Sequence, residues 1–275
     1  RRALAVRQAG ADMEAIGRVT WRLGRVLINS GQPERGLEVL ERAVAELPDD
    51  HPAYAQVFAE LARGYLMANR SAESILDVVD SALSVAERFE LMPVIVQAFI
   101  TKGLVLGLHL GRRQEGIALL EAADELAASA RDVLARVRAL GNLPNLQLPD
   151  DPHAARRSGE AGLAEALRIG AGGQMTYLPG NTMEAMFVTG AWDDALRLGA
   201  EFSVETISAR HYIPILSVTS TIAALRGDRD RAASELEELK ELLQGITEPQ
   251  ISVIGPNTEA LHAFAAGRFD EALRM

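Results

Sequence analysis

Side chains able to carry chemistry are present in this sequence, but their spacing does not assemble a reaction centre. Histidine is the usual proton carrier near neutral pH and a common metal ligand. The five histidines are His51, His109, His153, His211 and His262. No two stand at metal-ligand spacing, and none belongs to a His-Glu-x-x-His pattern. His51 and His153 adjoin prolines in turns, and His109 sits near a helix end, where a cation suits the dipole. A phosphate-gripping P-loop needs a Gly-rich turn closing on Lys-Ser/Thr; neither Lys102 nor Lys240 has that context. The run Gly170-Ala-Gly-Gly173 follows a helical pattern and lacks the third glycine of a dinucleotide fingerprint, so it reads as a helix-to-helix turn. In Glu235-Leu-Glu-Glu-Leu-Lys-Glu241, the leucines at 236, 239, 242 and 243 form an apolar stripe that leaves the acids on the wet face. Asp49-Asp50 and Asp193-Asp194 fall near helix starts, where negative charge complements the dipole. The hydroxyl runs 203–208 and 217–221 lack the Gly-x-Ser-x-Gly elbow of hydrolases. Cysteine is absent, which removes disulfides, thiolate metal sites and thiol nucleophiles. The reading is therefore a non-enzyme, with no catalytic residue, metal or cofactor.

The elements behind these residues repeat. An apolar helix, a Gly or polar turn, and a second helix opening on charged residues recur along the chain. The residues closing the first helices are Gly31, Asn69, Gly111, Asp150, Gly190, Gly227 and Gly267, spaced 38, 42, 39, 40, 37 and 40 apart. Gly and Asn tolerate the left-handed conformation that closes a helix. Five positions later stand Gly36, Ser74, Gly116, Ala155, Ala195, Ala232 and Ala272. All are small, as close approach of two helices requires. First helices are expected at about 12–30, 52–69, 93–110, 131–147, 174–189, 208–226 and 250–266. Second helices are expected at about 34–47, 72–89, 114–129, 153–169, 193–203 and 230–244, with a further one opening at 270.

Composition narrows the class. Aromatics are 5% of the 275 residues, too few for an all-β sandwich, and Ala and Leu favour helices. Net charge is −10 with no basic cluster beyond short arginine pairs, against direct nucleic-acid binding and against docking on anionic membranes. The apolar stretch 92–111 is interrupted by Gln97, Thr101, Lys102 and His109, and reads as a helix buried among its neighbours. No signal peptide precedes the first helix, and a cytoplasmic address is expected. Basic residues are almost all arginine, as in translations of high-GC bacterial genomes. The chain opens on Arg1 and closes at Met275 just after a turn has launched a new helix, so a piece of a longer protein is expected.

The first unit matches the tetratricopeptide pattern at Leu23-Gly24, Leu27, Gly31, Gly36, Leu40, Ala43 and Pro48. The later units keep its packing logic, at a spacing longer than the usual repeat of about 34 residues. The expected fold is all-α: a right-handed superhelical solenoid of about seven tetratricopeptide-like hairpins, one domain over 1–275, with a change of curvature near 144–180. Thr101 to Leu120 and Gly180 to Leu196 resemble the helical-repeat regions of large bacterial signalling ATPases. Two groups share that plan: ATPases linked to class III adenylate/guanylate cyclases, and LuxR-type ATP-binding transcriptional regulators. The resemblance implies sensing, autoinhibition or partner binding, with the nucleotide chemistry in other domains.

In a helix-pair solenoid the first helices line the concave face. The first unit's register places Arg18, Trp21, Arg25, Arg63, Lys102, His109, Tyr177, Asn181 and Glu184 on or near it. Trp21 between Arg18 and Arg25 stands out, because Trp and Arg often dominate binding energy. The alternatives are that Trp21 packs on the next repeat and that Asn181 stabilises a helix start. The expected function is a regulatory or protein-interaction module. Its partner is a protein or peptide, or other domains of the same chain; the alternative is a sensor for a small-molecule effector.

Overall fold

The computed structural model describes residues 13–30, 32–48, 51–170, 177–246 and 249–275. Among these every regular element is a helix. The chain divides into two compact units, Arg1–Ala139 and Leu140–Met275.

Unit 1 contains α1 (Met13–Asn29), α2 (Pro33–Glu46), α3 (Pro52–Met67), α4 (Ala72–Arg88), α5 (Met92–Leu104) and α6 (Arg113–Ser129). α5 runs on into a π-helical turn, Val105–His109. α7 (Val133–Gln147) spans the division. Unit 2 continues with α8 (Pro152–Arg168), α9 (Leu178–Val188), α10 (Trp192–Gly199), α11 (Ala209–Arg226) and α12 (Arg229–Leu243). It ends with α13 (Pro249–Ser252), α14 (Ile254–Ala265) and α15 (Phe269–Ala272). Prolines open α2, α3, α5, α8 and α9 within the first two positions, where a missing N–H costs nothing. Side-chain caps from His51, Ser71, Asp151 and Asp228 fix the starts of α3, α4, α8 and α12.

The packing follows a hairpin rule. α1 packs on α2, α3 on α4, α5 on α6, α9 on α10 and α11 on α12. First helices also pack on the next first helix: α1 on α3 and α3 on α5 in unit 1, α9 on α11 and α11 on α14 in unit 2. Second helices touch the first helix that follows, as α2 touches α3 and α4 touches α5. The first hairpin shows why small residues are needed. A Cβ on Gly36 would lie 2.6 Å from Ile28 Cγ1 and 3.0 Å from the Gly24 carbonyl oxygen, so the α1 and α2 backbones close only on glycine. Leu37, Leu40 and Ala43 fill the core beneath. The apolar helix α5 lies against α3, α4 and α6, with Val94, Val96, Ala98 and Ile100 buried. Its extension to His109 is long and apolar enough to cross a membrane, and just over half of it is buried in protein.

The turn residues take the backbone the repeat requires. Asn69, Gly111, Gly190, Gly227 and Gly267 have φ between 52° and 79°; Gly31 lies outside the described residues. Asp150 is not left-handed, because α7 gives way to a three-residue turn over 148–150 before Asp151 caps α8. The small residue at the fourth helical position is buried in Gly36, Gly116, Ala155, Ala195 and Ala232. Ser74 is exposed. The turn before α4 holds one extra residue, so Ile75, fully buried, takes that position. α10 ends at Gly199, short of the expected 203, and Val253 separates α13 from α14 inside the expected helix 250–266. Asp49 and Asp50 fall outside the described residues, as does the first part of the expected helix at 174–189.

Candidate functional site

Three successive first helices of unit 1 meet at one carboxylate. Glu60 of α3 is fully buried, in a segment where Ala55, Val57, Phe58, Ala59, Leu61 and Ala62 belong to the core. A lone buried carboxylate is costly, and five contacts from three side chains offset that cost. Arg25 Nε of α1 donates to Glu60 Oε2 at 2.8 Å, and Arg25 Nη2 reaches the same oxygen at 2.7 Å. Arg63 Nε donates to Glu60 Oε1 at 2.8 Å, with Nη2 at 2.5 Å. Gln97 Nε2 of α5 donates to Oε2 at 3.1 Å, and its own Oε1 accepts from Arg25 Nη2 at 2.9 Å. Arg63 Nη2 also reaches Asn29 Oδ1 at 3.1 Å, returning to α1. The Asn29–Arg63, Arg25–Glu60 and Glu60–Gln97 bonds span 34, 35 and 37 residues, close to one repeat, and Arg25–Gln97 spans 72.

Burial by itself would raise the Glu60 carboxyl. Arg63 and Arg25 outweigh it, by charge and by hydrogen bonding, and hold the group below the usual carboxylate range. Glu60 therefore stays ionised near neutrality with both oxygens engaged. That describes a lock, since proton transfer requires a group able to take up and release a proton at working pH. Two guanidinium ions around one carboxylate leave the cluster one positive charge in excess. Trp21, one turn before Arg25, completes it. The Arg25 guanidinium carbon lies 4.7 Å from the indole centroid and that of Arg22 5.4 Å, within cation–π range. The indole ring packs against the core of Ile16, Leu40, Val57 and Leu61. Its Nε1 is buried with no hydrogen-bond partner among the described residues. Arg63 Nη1 points to the Met67 sulfur at 3.0 Å, a weak acceptor.

The sequence-predicted residues fall in three places. Trp21, Arg25 and Arg63 come together on the Glu60 network. Arg18 stays at the surface, 3.5 Å from Glu14 on its own helix. Lys102 and His109 lie further along α5 and its π turn: Lys102 Nζ meets Asp80 Oδ1 of α4 at 2.6 Å, and His109 is half-buried at the end of the turn. Tyr177, Asn181 and Glu184 belong to unit 2. Asn181 Nδ2 donates to the Gly141 carbonyl at 2.9 Å, which ties α9 to α7, and its backbone N–H bonds to the Tyr177 carbonyl. The Glu184 side chain is reached by solvent, yet protein around it strips hydration and raises its carboxyl.

Sequence reasoning missed Glu60 and Gln97, the residues that organise the cluster. A signal existed: a glutamate inside an otherwise apolar helix face, 35 residues after an arginine, in a chain with a repeat of similar length. It also missed a polar seam in unit 2. There Ser217 and Thr258 hydroxyls meet at 2.7 Å, and His262 Nε2 meets Ser220 Oγ at 3.3 Å, joining α11 to α14. Asp193 and Asp194 stand in the first turn of α10 and also pair across repeats, Asp193 with Arg226 and Asp194 with Arg156. No group of three or more potential metal ligands occurs among the described residues.

No family model matches the sequence, and no curated protein matches it significantly. Solved structures do match in shape. A Rap protein complexed with competence and sporulation factor superposes with a TM-score of 0.70 at 14% identity, over 95% of this chain and 72% of that one. A signal-transduction ATPase with a tetratricopeptide repeat sensor from Pyrococcus horikoshii gives 0.64 at 12% identity. That match covers 95% of this chain and 41% of the archaeal one, so the chain spans about two-fifths of that protein's length. PilF from Pseudomonas aeruginosa gives 0.56 at 20% identity, over 85% and 95%. At these identities the likeness concerns the fold, and the fold is that of tetratricopeptide-like helical repeats.

Proposed function

We propose that this chain is a non-catalytic regulatory and protein-interaction module, and that the first-helix face of unit 1 receives a protein or peptide partner. The observation that carries the reading is Trp21. An amphipathic ring sits under the Arg25 guanidinium and borders a cluster with one excess positive charge. A partner carboxylate would meet that charge, and Trp and Arg are among the residue types that most often dominate binding energy. The shape neighbours support the reading: one is a Rap protein in complex with a factor, another carries a repeat region described as a sensor. In this reading the parent is a bacterial signalling or transcription-regulating protein, of the cyclase-linked or LuxR-type ATPase plan, and its address is cytoplasmic.

Selection of a displayed random peptide library on the immobilised chain, followed by calorimetry with recovered peptides, tests this. Binders are expected whose affinity falls about tenfold, or ~1.4 kcal/mol, on Trp21→Leu. Recovery of only those peptides that bind Trp21→Leu as well as the parent would contradict the reading. A second reading, a small-molecule effector site, is favoured by an open groove elsewhere in unit 1.

A further inference from the structure

Helix α5 presents two chemically different sides. Gln97 and Lys102 are five residues apart, about 140° around a helix of 3.6 residues per turn. Gln97 joins the Glu60 network, and Lys102 faces a separate space between α4 and α6. Those two helices pack on α5 and leave an open groove of about 490 Å³ between them. That size lies within the range of roughly 300–1,000 Å³ for small-ligand sites. Leu76 of α4, Leu106 of the π turn, and Ala118 and Leu119 of α6 form apolar walls; Asp80, Lys102, Arg112 and Glu115 form the rim. The π turn begins three residues after Lys102, and such widened turns are frequent at functional sites.

The hydrogen-bonding capacity left at the rim is richer in donors than in acceptors. Lys102 Nζ donates one bond, to Asp80, and an ammonium has three N–H groups. Arg112 uses Nε and Nη2 on the two oxygens of Glu115, which leaves Nη1 available. Glu115 has both oxygens engaged. The open groups are therefore the Lys102 and Arg112 donors and one Asp80 oxygen, set over a leucine floor.

We propose that this groove binds a small apolar monocarboxylate. Its carboxylate would bridge Lys102 Nζ and Arg112 Nη1, and its hydrocarbon tail would lie against Leu76, Leu106 and Leu119. A neutral apolar molecule would cover those donors without supplying an acceptor, which is unfavourable. A multiply charged anion would meet Asp80 and Glu115 on a rim whose formal charges cancel. The site is independent of the partner-binding face, so either can fail alone.

Calorimetric and thermal-melting titrations with 4-methylpentanoate test the proposal, with 4-methylpentanamide and acetate as comparators. The acid is expected to bind about tenfold more tightly than either and to raise the melting temperature with concentration. Lys102→Gln is expected to weaken it about tenfold, and Ala118→Trp to abolish binding by filling the space. Both variants are checked for folding by circular dichroism, and Ala118 is exposed enough to accept the larger ring. Trp21→Leu is expected to leave the affinity unchanged. No binding at millimolar concentration, equal binding of the amide, equal binding of acetate, or unchanged affinity in folded Lys102→Gln would each overturn the proposal.

Discussion

Successive first helices are joined by an ionic cluster in unit 1, beside a close Gly17–Ala53 contact of α1 and α3, and by small residues and hydroxyls alone in the unit 2 contacts of α9, α11 and α14 described above. In unit 1, Arg25, Glu60, Arg63 and Gln97 bridge α1, α3 and α5. In unit 2, a Cβ on Gly180 of α9 would meet Pro214 of α11 at 2.9 Å, and Ser217 and Ser220 reach Thr258 and His262 across α11 and α14. Bonded residues on adjacent first helices lie 34 to 37 apart in unit 1 and 41 or 42 apart in unit 2, so the repeat sets where a joint falls and leaves its chemistry free. The choice has a functional consequence. An ionic joint keeps guanidinium groups at a half-open surface beside Trp21, whereas a hydroxyl seam satisfies itself and displays little. The charge balance runs the same way: unit 1 has 17 basic and 19 acidic residues, unit 2 has 11 and 19.

The contrast can be broken one joint at a time, and each unit has its own tryptophan, Trp21 and Trp192, to report on it. Glu60→Ala should have the largest effect. It strands Arg25 and Arg63 without their shared carboxylate, and Arg63 is only 14% exposed. Breaking a buried pair costs about 3–5 kcal/mol; the partial exposure of Arg25 places the expectation near ~3 kcal/mol. Urea unfolding followed by Trp21 in a Trp192→Phe background should show it, with Trp192 in the converse background nearly unmoved. Gly159→Ala comes next, at the contact of second helix α8 with first helix α9 in unit 2. Its Cβ would sit 2.6 Å from Thr182 Oγ1, and that hydroxyl is held by the Leu178 carbonyl at 2.8 Å. Overpacking of about 1–3 kcal/mol, partly offset by better helix propensity, predicts a net loss of roughly 1–2 kcal/mol seen by Trp192. Ser217→Ala should be the smallest, about 0.5–1 kcal/mol, because Thr258 keeps its bond to the Ile254 carbonyl. A Ser217→Ala loss as large as that of Glu60→Ala would erase the distinction between the joints.

How much of this the sequence reveals depends on how local the cause is. The left-handed turns at Asn69, Gly111, Gly190, Gly227 and Gly267 are legible because one residue carries the backbone requirement. So is Trp21 among arginines, since residues three and four apart share a helix face. The shift from Ser74 to Ile75 is a single extra turn residue, which a fixed offset cannot detect. The π turn after Leu104 has no distinctive residue of its own. Glu60 goes unmarked because the arginine and glutamine that make its burial tolerable lie 35 and 37 residues away in either direction.

Acid separates the two joints most directly. Glu60 is held below the usual carboxylate value of 4.5, so its contribution to stability is present above that value and is lost only as pH falls through its lower folded pKa. His211 and His262 are lowered from 6.5, by burial first and by neighbouring cations second. The unfolded chain therefore takes up those protons first, and unit 2 loses stability as pH drops below about 6.5. Glu184, raised by burial, opposes this, since its folded carboxyl gains a proton before the unfolded one. Amide hydrogen exchange by mass spectrometry, from pH 7 to pH 4 with intrinsic rates divided out, reads both units in one sample. The account predicts that α11 and α14 lose protection first while α1 and α3 keep theirs until the carboxylate range. Loss in α1 and α3 before α11 and α14, or in all four together, would contradict it.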